Sequence, residues 1–214
     1  MPEVTFSGPD GRLEGRFRKG KSSTSAIALV LHPHPQHGGN MNHKVVYTVF
    51  HCFARLGFSV LRFNYRGVGR SQGVYDNGQG ELSDAASALD WLQSHYPNAA
   101  DCWVAGFSFG AWISMQLLMR RPEIHGFISI TPPANHYDFT FLAPCPSSGL
   151  IAHGSDDEHV LQEDVDKLAV RLEAQRGIGI EYTCIEGADH FFHGKLDALS
   201  EVVEDHLKTH STPG

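Results

Sequence analysis

Short runs of apolar residues alternate with stretches of helical periodicity along most of this chain, and few architectures accommodate that pattern. Residues 26–31 (AIALVL) are wholly apolar, as expected of a strand buried on both faces of a parallel sheet. Val45, Val46, Val49, Phe50 and Phe53 then recur at helical spacing, and Gly57 marks the helix end. Further strand-like segments fall at 59–63, 102–105, 127–130, 150–152 and 178–185. Between them lie helical faces: Leu82, Ala85, Leu89 and Leu92, closed by Pro97; residues 109–120; Leu161, Val165, Leu168 and Leu172, running to near Gly177; and a last helix from 196 to about 208. At the start, residues 4–6 and 12–17 flank Gly8-Pro9-Asp10-Gly11, which predicts a hairpin at a sheet edge. The order predicts a mostly parallel sheet of about eight strands, covered by helices on both faces, with sites beyond the carboxyl ends of the strands. The rhythm breaks at residues 131–148, where four prolines with Tyr137, Phe139 and Phe141 replace a helix.

At 214 residues, 41% hydrophobic and 19% charged, the chain has the material for one large α/β core, and a single domain over 1–214 is expected. The net charge of −7 comes with no basic run to follow a phosphate backbone, so no nucleic-acid partner is expected. The longest aliphatic stretch falls far short of the roughly 20 residues of a membrane helix, and the N-terminus alternates charges, so neither a membrane partner nor a signal peptide is expected. The expected compartment is the cytoplasm. Cys52, Cys102, Cys145 and Cys184 lie far apart and read as small core residues rather than as zinc or disulfide pairs. The 14 histidines stand out, because histidine serves both as a general base near neutral pH and as a metal ligand.

Gly106-Phe107-Ser108-Phe109-Gly110 matches G-x-S-x-G, led by the apolar Trp103-Val104-Ala105 and followed by a stretch, residues 111–119, free of proline and glycine. In that context the pattern is a strand-to-helix turn that presents a serine, with the helix N-terminus beneath it. A serine hydroxyl is a weak nucleophile and needs a base held by an acid. In this topology they follow in the order acid, then histidine. His153-Gly154-Ser155-Asp156-Asp157-Glu158 comes after one strand, and Gly187-Ala188-Asp189-His190-Phe191-Phe192-His193 after the last. His190 is the better base than His193, being first after the Gly187 turn and flanked by aromatic residues. Physical reasoning leaves Asp156 and Asp157 open as the acid.

The segment His32-Pro33-His34-Pro35-Gln36-His37-Gly38-Gly39 follows the first parallel strand. Pro33 and Pro35 have no N–H, so His34 is the sole amide donor between them. With the Phe109 amide it is the expected oxyanion hole. A zinc site at His32, His34 and His37 is disfavoured, because the prolines restrict the rings and no H-E-x-x-H is present. Buried structural roles are expected for the His32 and His37 side chains, and structural or solvated roles for the remaining histidines. The run Arg62 to Ser71 (RFNYRGVGRS) lacks the phosphate-loop pattern and is expected to be held by arginine hydrogen bonds.

With these motifs in place the chain resembles the α/β-hydrolases over essentially its full length. More narrowly, it resembles the small, capless bacterial hydrolases of the dienelactone-hydrolase and serine-aminopeptidase-like branch, through its LHPHP...GG, RGVGRS and GxSxG segments. The resemblance implies Ser108 as nucleophile, His190 as base and Asp157 as the acid of the HG-x-x-D pattern. It also implies a three-layer fold without a cap domain, no cofactor and no metal. The activity implied is hydrolysis of carboxylic esters with small or medium acyl groups; a peptidase or thioesterase would use the same triad, and a non-catalytic binding protein would use the same fold. The expected partner is a small-molecule acyl substrate in an open site lined by Phe107, Phe109, Trp112, Tyr137 and Phe191. A homodimer is the one assembly considered.

Overall fold

The computed structural model describes residues 2–212. Eight strands form one sheet: β1 (Glu3–Gly8), β2 (Gly11–Arg18), β3 (Ile27–Leu31), β4 (Ser59–Phe63), β5 (Cys102–Phe107), β6 (Gly126–Ile130), β7 (Ser148–Gly154) and β8 (Ile180–Ile185). Their spatial order is β1-β2-β4-β3-β5-β6-β7-β8. The hairpin β1–β2 and the β2–β4 pair are antiparallel, and all other pairs are parallel. Five helices join them: α1 (Lys44–Arg55), α2 (Gln79–His95), α3 (Phe109–Leu118), α4 (Gln162–Glu173) and α5 (Leu196–His210).

The apolar runs alternate between two cores, as strand side chains must. Ile27, Leu29 and Leu31 of β3 pack with residues of α2, α3 and α4, whereas Ala28 and Val30 pack with α1 and α5. The result is three layers, the sheet between two layers of helix, with no helical cap over it among the described residues. Several boundaries differ from expectation for local reasons. Strand β5 continues two residues past Ala105, because Phe107 still registers with Ile130 of β6. Helix α3 ends at Leu118 rather than Arg120, shortly before Pro122, whose ring disfavours helical backbone at the residue before it. Leu161 is the extended N-cap of α4 and is 50% exposed, so it is not part of that helix's buried face.

From β3 the chain moves to β4 on one side, and from β4 it crosses by α2 to β5 on the other. The loops leaving β3 and β5 therefore diverge at a topological switch point, where α/β sheets place their ligands. Register sets Leu31 beside Gly106, so the loop that starts at His32 leaves the sheet next to the turn at Ser108. No described helix is long and apolar enough to cross a membrane.

Two glycines permit the close approach. A Cβ at Gly106 would collide with the Gly110 carbonyl, and one at Gly110 would lie 2.5 Å from Leu31 O and 2.6 Å from His32 O. All of these obstacles are backbone, which cannot swing aside. Gly110→Ala should therefore cost roughly 1–3 kcal/mol of stability, read as a lower urea midpoint with an unchanged slope.

Candidate active site

Ser108 follows β5 as the N-cap of α3, at φ 54° and ψ −120°, a region that few side-chain-bearing residues occupy. Backbone hydrogen bonds hold it there: its N–H donates to Ile130 O at 2.9 Å, and its carbonyl accepts from Ala111 N–H at 2.8 Å and Trp112 N–H at 3.3 Å. The hydroxyl thus sits over the start of α3, whose first amides carry the positive end of the helix dipole.

Asp157 and His190 meet across the ends of β7 and β8. His190 Nδ1 donates to Asp157 Oδ2 at 2.8 Å, and Asp157 Oδ1 accepts from the His159 and Val160 amides at 2.8 and 2.9 Å. Both side chains are buried. Burial works against the Asp157 charge, but the hydrogen bonds from His190 and the two amides outweigh it and hold the carboxyl below the ordinary carboxylate value. The carboxylate fixes the imidazole with Nδ1 protonated, which leaves Nε2 to accept a proton. The two rival residues lie elsewhere: Asp156 accepts from the Ser155 hydroxyl, and His193 is exposed and pairs with Asp189 at 2.6 Å.

Ser108 and His190 line the same cavity, of about 620 Å³. Among the described residues no hydrogen bond joins them directly; in unliganded enzymes such a bond often tightens only with substrate. The amides of His34 and Phe109 also have no acceptor among the described residues, and both residues line the cavity. The His34 loop is held from several sides. His32 Nδ1 donates to Pro33 O at 2.7 Å, and His32 Nε2 accepts from Tyr65 N–H at 3.1 Å. His34 O accepts from His37 and Gly39 amides, and His34 Nε2 lies 3.2 Å from the Tyr75 hydroxyl. Tyr75 is carried by the arginine-rich loop, which is pinned as expected. Arg66 makes a two-pronged pair with Asp84 at 3.0 and 2.8 Å, and Glu14 accepts from Arg70 and Asn64.

The aromatic residues divide. Phe109, Tyr137 and Phe191 line the cavity, whereas Phe107 and Trp112 do not. Phe107 is 1% exposed and packs behind the imidazoles, 5.3 Å from the centroid of His190 and 5.0 Å from that of His43. Trp112 stacks on Tyr137 at 4.3 Å and donates to Asp138 O. Both support the wall rather than form it. His37 is likewise not buried: it is exposed and stacks on His34 at 4.3 Å.

The histidines are the largest departure from the sequence reading. Six line the cavity: His34, His37, His43, His136, His159 and His190. His43 is the N-cap of α1, accepting from Val45 N–H, a role that the usual Ser, Thr, Asp or Asn cap signal does not reveal. His159 stands two residues past Asp157, and His136 lies in the proline-rich loop; only tertiary convergence of these loops brings both to the rim. His34, His37 and His32 do not converge as metal ligands among the described residues.

A family model described as X-Pro dipeptidyl-peptidase (S15 family) matches residues 15–198. The chain belongs to that family. It is 54% identical over 213 residues to a protein of Rickettsia prowazekii, covering 98% of this chain and 90% of the other. An α/β-hydrolase of unknown function from Agrobacterium tumefaciens superposes with a TM-score of 0.94 at 58% identity, over 97% of this chain and 95% of that one. An α/β serine hydrolase without lid from Xanthomonas campestris gives 0.88 at 32% identity, over 97% and 94%. The capless α/β serine hydrolase fold read from the motifs is thus borne out.

Burial drives His32 down to about 3, against the opposing Pro33 hydrogen bond, and burial with nearby Lys44 drives His43 to about 4. Each ring is neutral when folded and gains a proton on unfolding once pH drops below about 6.5. Stability should therefore fall with decreasing pH from about 6.5 down toward those folded values, by at most about 1.4 kcal/mol per pH unit for each ring. His32→Gln, which offers a donor and an acceptor but does not titrate, should remove one ring's share of that slope in urea titrations between about pH 6 and 4.5.

Proposed function

We propose that this chain is a serine esterase that hydrolyses carboxylic esters with small or medium, uncharged acyl groups. The observation that carries the proposal is the buried Asp157–His190 pair opening onto the cavity that holds Ser108 and two unpaired amides. Ser108 Oγ attacks the ester carbonyl carbon while His190 Nε2 takes its proton. The His34 and Phe109 amides receive the negative charge that develops on the carbonyl oxygen. His190 then returns the proton to the departing alcohol, and the acyl group stays on Ser108. Water enters by the same route, with His190 again as base, and releases the acid. Asp157 stays ionised throughout and stabilises the imidazolium.

The family description names a peptidase acting near a free N-terminus. Lining chemistry favours an ester instead. An α-ammonium group calls for a carboxylate partner, and the described cavity wall carries six histidines and Tyr137 but no Asp or Glu. Burial, with His37 nearby, lowers His34, and burial lowers His43 to about 4, so these two present neutral rings at pH 7. The remaining wall, Pro33, Phe109, Pro133, Tyr137, Val160 and Phe191, is mostly apolar. A cavity of this volume without a cap suits a compact acyl group. All four cysteines are unpaired, which supports a reducing, cytoplasmic location.

A panel of aryl esters of increasing acyl length, thioesters and X-Pro arylamides tests the reading. Short aryl esters should be turned over and X-Pro arylamides should not; the reverse preference would overturn the ester assignment. Ser108→Ala should abolish turnover and fluorophosphonate labelling while leaving the unfolding transition intact. Asp157→Asn should lower kcat by about 10³–10⁴-fold, whereas Asp156→Asn and His193→Ala should stay within a few-fold of wild type. If His193→Ala loses more activity than His190→Ala, the base is wrongly assigned.

A further inference from the structure

At the opposite rim of the sheet a second group of side chains converges. Glu181 is the second residue of β8, and His206 and His210 lie four residues apart on α5, a spacing that puts both rings on one helix face. One ligand atom from each lies within 4.8 Å of the other two. His206 Nδ1 donates to Glu181 Oε2 at 2.6 Å, and the His206 and His210 rings stack with centroids 4.3 Å apart. His206 is only 3% exposed, and its Nε2 has no hydrogen-bond partner among the described residues.

We propose that Glu181, His206 and His210 form a binding site for a divalent transition-metal ion of the zinc class. Two imidazoles and one carboxylate are a donor set that zinc accepts and that magnesium or calcium, which prefer oxygen, does not. Tetrahedral zinc with bonds of about 2.0–2.1 Å sets its ligand atoms roughly 3.3 Å apart. His206 Nδ1 and Glu181 Oε2 are 2.6 Å apart and all three ligand atoms lie within 4.8 Å of one another, so small side-chain rotations bring them to that spacing. The ion takes the place of the proton now between His206 Nδ1 and Glu181, and that proton passes to the unpartnered Nε2. Three protein ligands leave a fourth position for water.

The site is remote from the catalytic cavity. Glu181 registers with Leu150 near the start of β7, whereas Ser108, Asp157 and His190 all follow the carboxyl ends of strands. A bound ion would therefore fasten the last turn of α5 to β8, the edge strand that pairs only with β7, and would stabilise the fold without entering the chemistry. Its ligation is independent of the esterase reading.

Thermal unfolding of the full chain in ZnCl₂ or MgCl₂, with calorimetric titration of zinc, tests this. Zinc at about a hundredfold excess over its Kd should raise Tm by about 5 °C or more, with one ion bound per chain, and magnesium should leave Tm unchanged. His206 is part of the core, so the variants are placed at its exposed partners. His210→Ala and Glu181→Gln should each lose most of the zinc-dependent rise, while their zinc-free Tm and aryl-ester turnover remain close to wild type. Absence of a rise in wild type overturns the proposal, as does an undiminished rise in either variant, which would place the ion elsewhere, such as among the cavity histidines.

Discussion

The contact on which the rest of the structure depends is backbone against backbone: Gly110, in the first turn of α3, pressed onto the carbonyls of Leu31 and His32 where β3 ends. That approach brings the turn after β5 against the loop after β3. Without it, the Ser108 hydroxyl and the His34 amide would belong to separate surfaces. With it, the strained Ser108 backbone is over-determined, held by Ile130 on one side and by the first amides of α3 on the other. The conformational cost of a positive φ at serine is of order 1–3 kcal/mol, and the surrounding ladder of parallel strands absorbs it.

Around this contact several buried polar groups join one loop to another. His32 ties the β3 exit to the β4 exit, and it can do so only while neutral, with one nitrogen donating and the other accepting. Asp84 and Glu14 hold the two arginines of the next loop and so keep Tyr75 against His34. Asp157 accepts three hydrogen bonds, two of them from its own loop. Such groups are costly to bury unpaired, so each satisfied pair narrows the arrangements that the loops can adopt. His32 and Asp157 are thus held by neighbouring loops as well as by their own.

Much of this was legible in the amino-acid sequence. Short apolar runs announced a sheet buried on both faces, and Gly106 and Gly110 around Ser108 announced the turn, since both are local signals. The order of acid and histidine loops followed from the topology. Side-chain direction was far less legible. Phe107 and Trp112 flank the serine in sequence, yet β5 turns Phe107 into the core and α3 carries Trp112 to the outer side of Tyr137. The sequence reading gives His37 a buried structural role like that of His32, but a left-handed Gly38 follows it at the end of a short 3₁₀ turn, and it stays exposed. His136 and His159 reach the cavity through long-range convergence of two loops, and Glu181 meets His206 only through the register of the last strand and the packing of the last helix. No spacing rule carries that information.

Two of the segments that line the cavity differ in origin. One is the proline-braced turn around His34, the proposed oxyanion donor, which is tied into the centre of the sheet. The other is the segment from 131 to 148, which contributes Pro133, His136 and Tyr137 and touches the catalytic loops through Asn135 and the His159 carbonyl. On the proposed esterase reading, reshaping the first segment would disturb the chemistry itself, whereas reshaping the second would change which acyl groups fit while leaving Asp157 and His190 in place. On that reading selectivity and turnover are housed in separable parts of the chain, and the second segment is the one that could be redrawn to admit a different substrate.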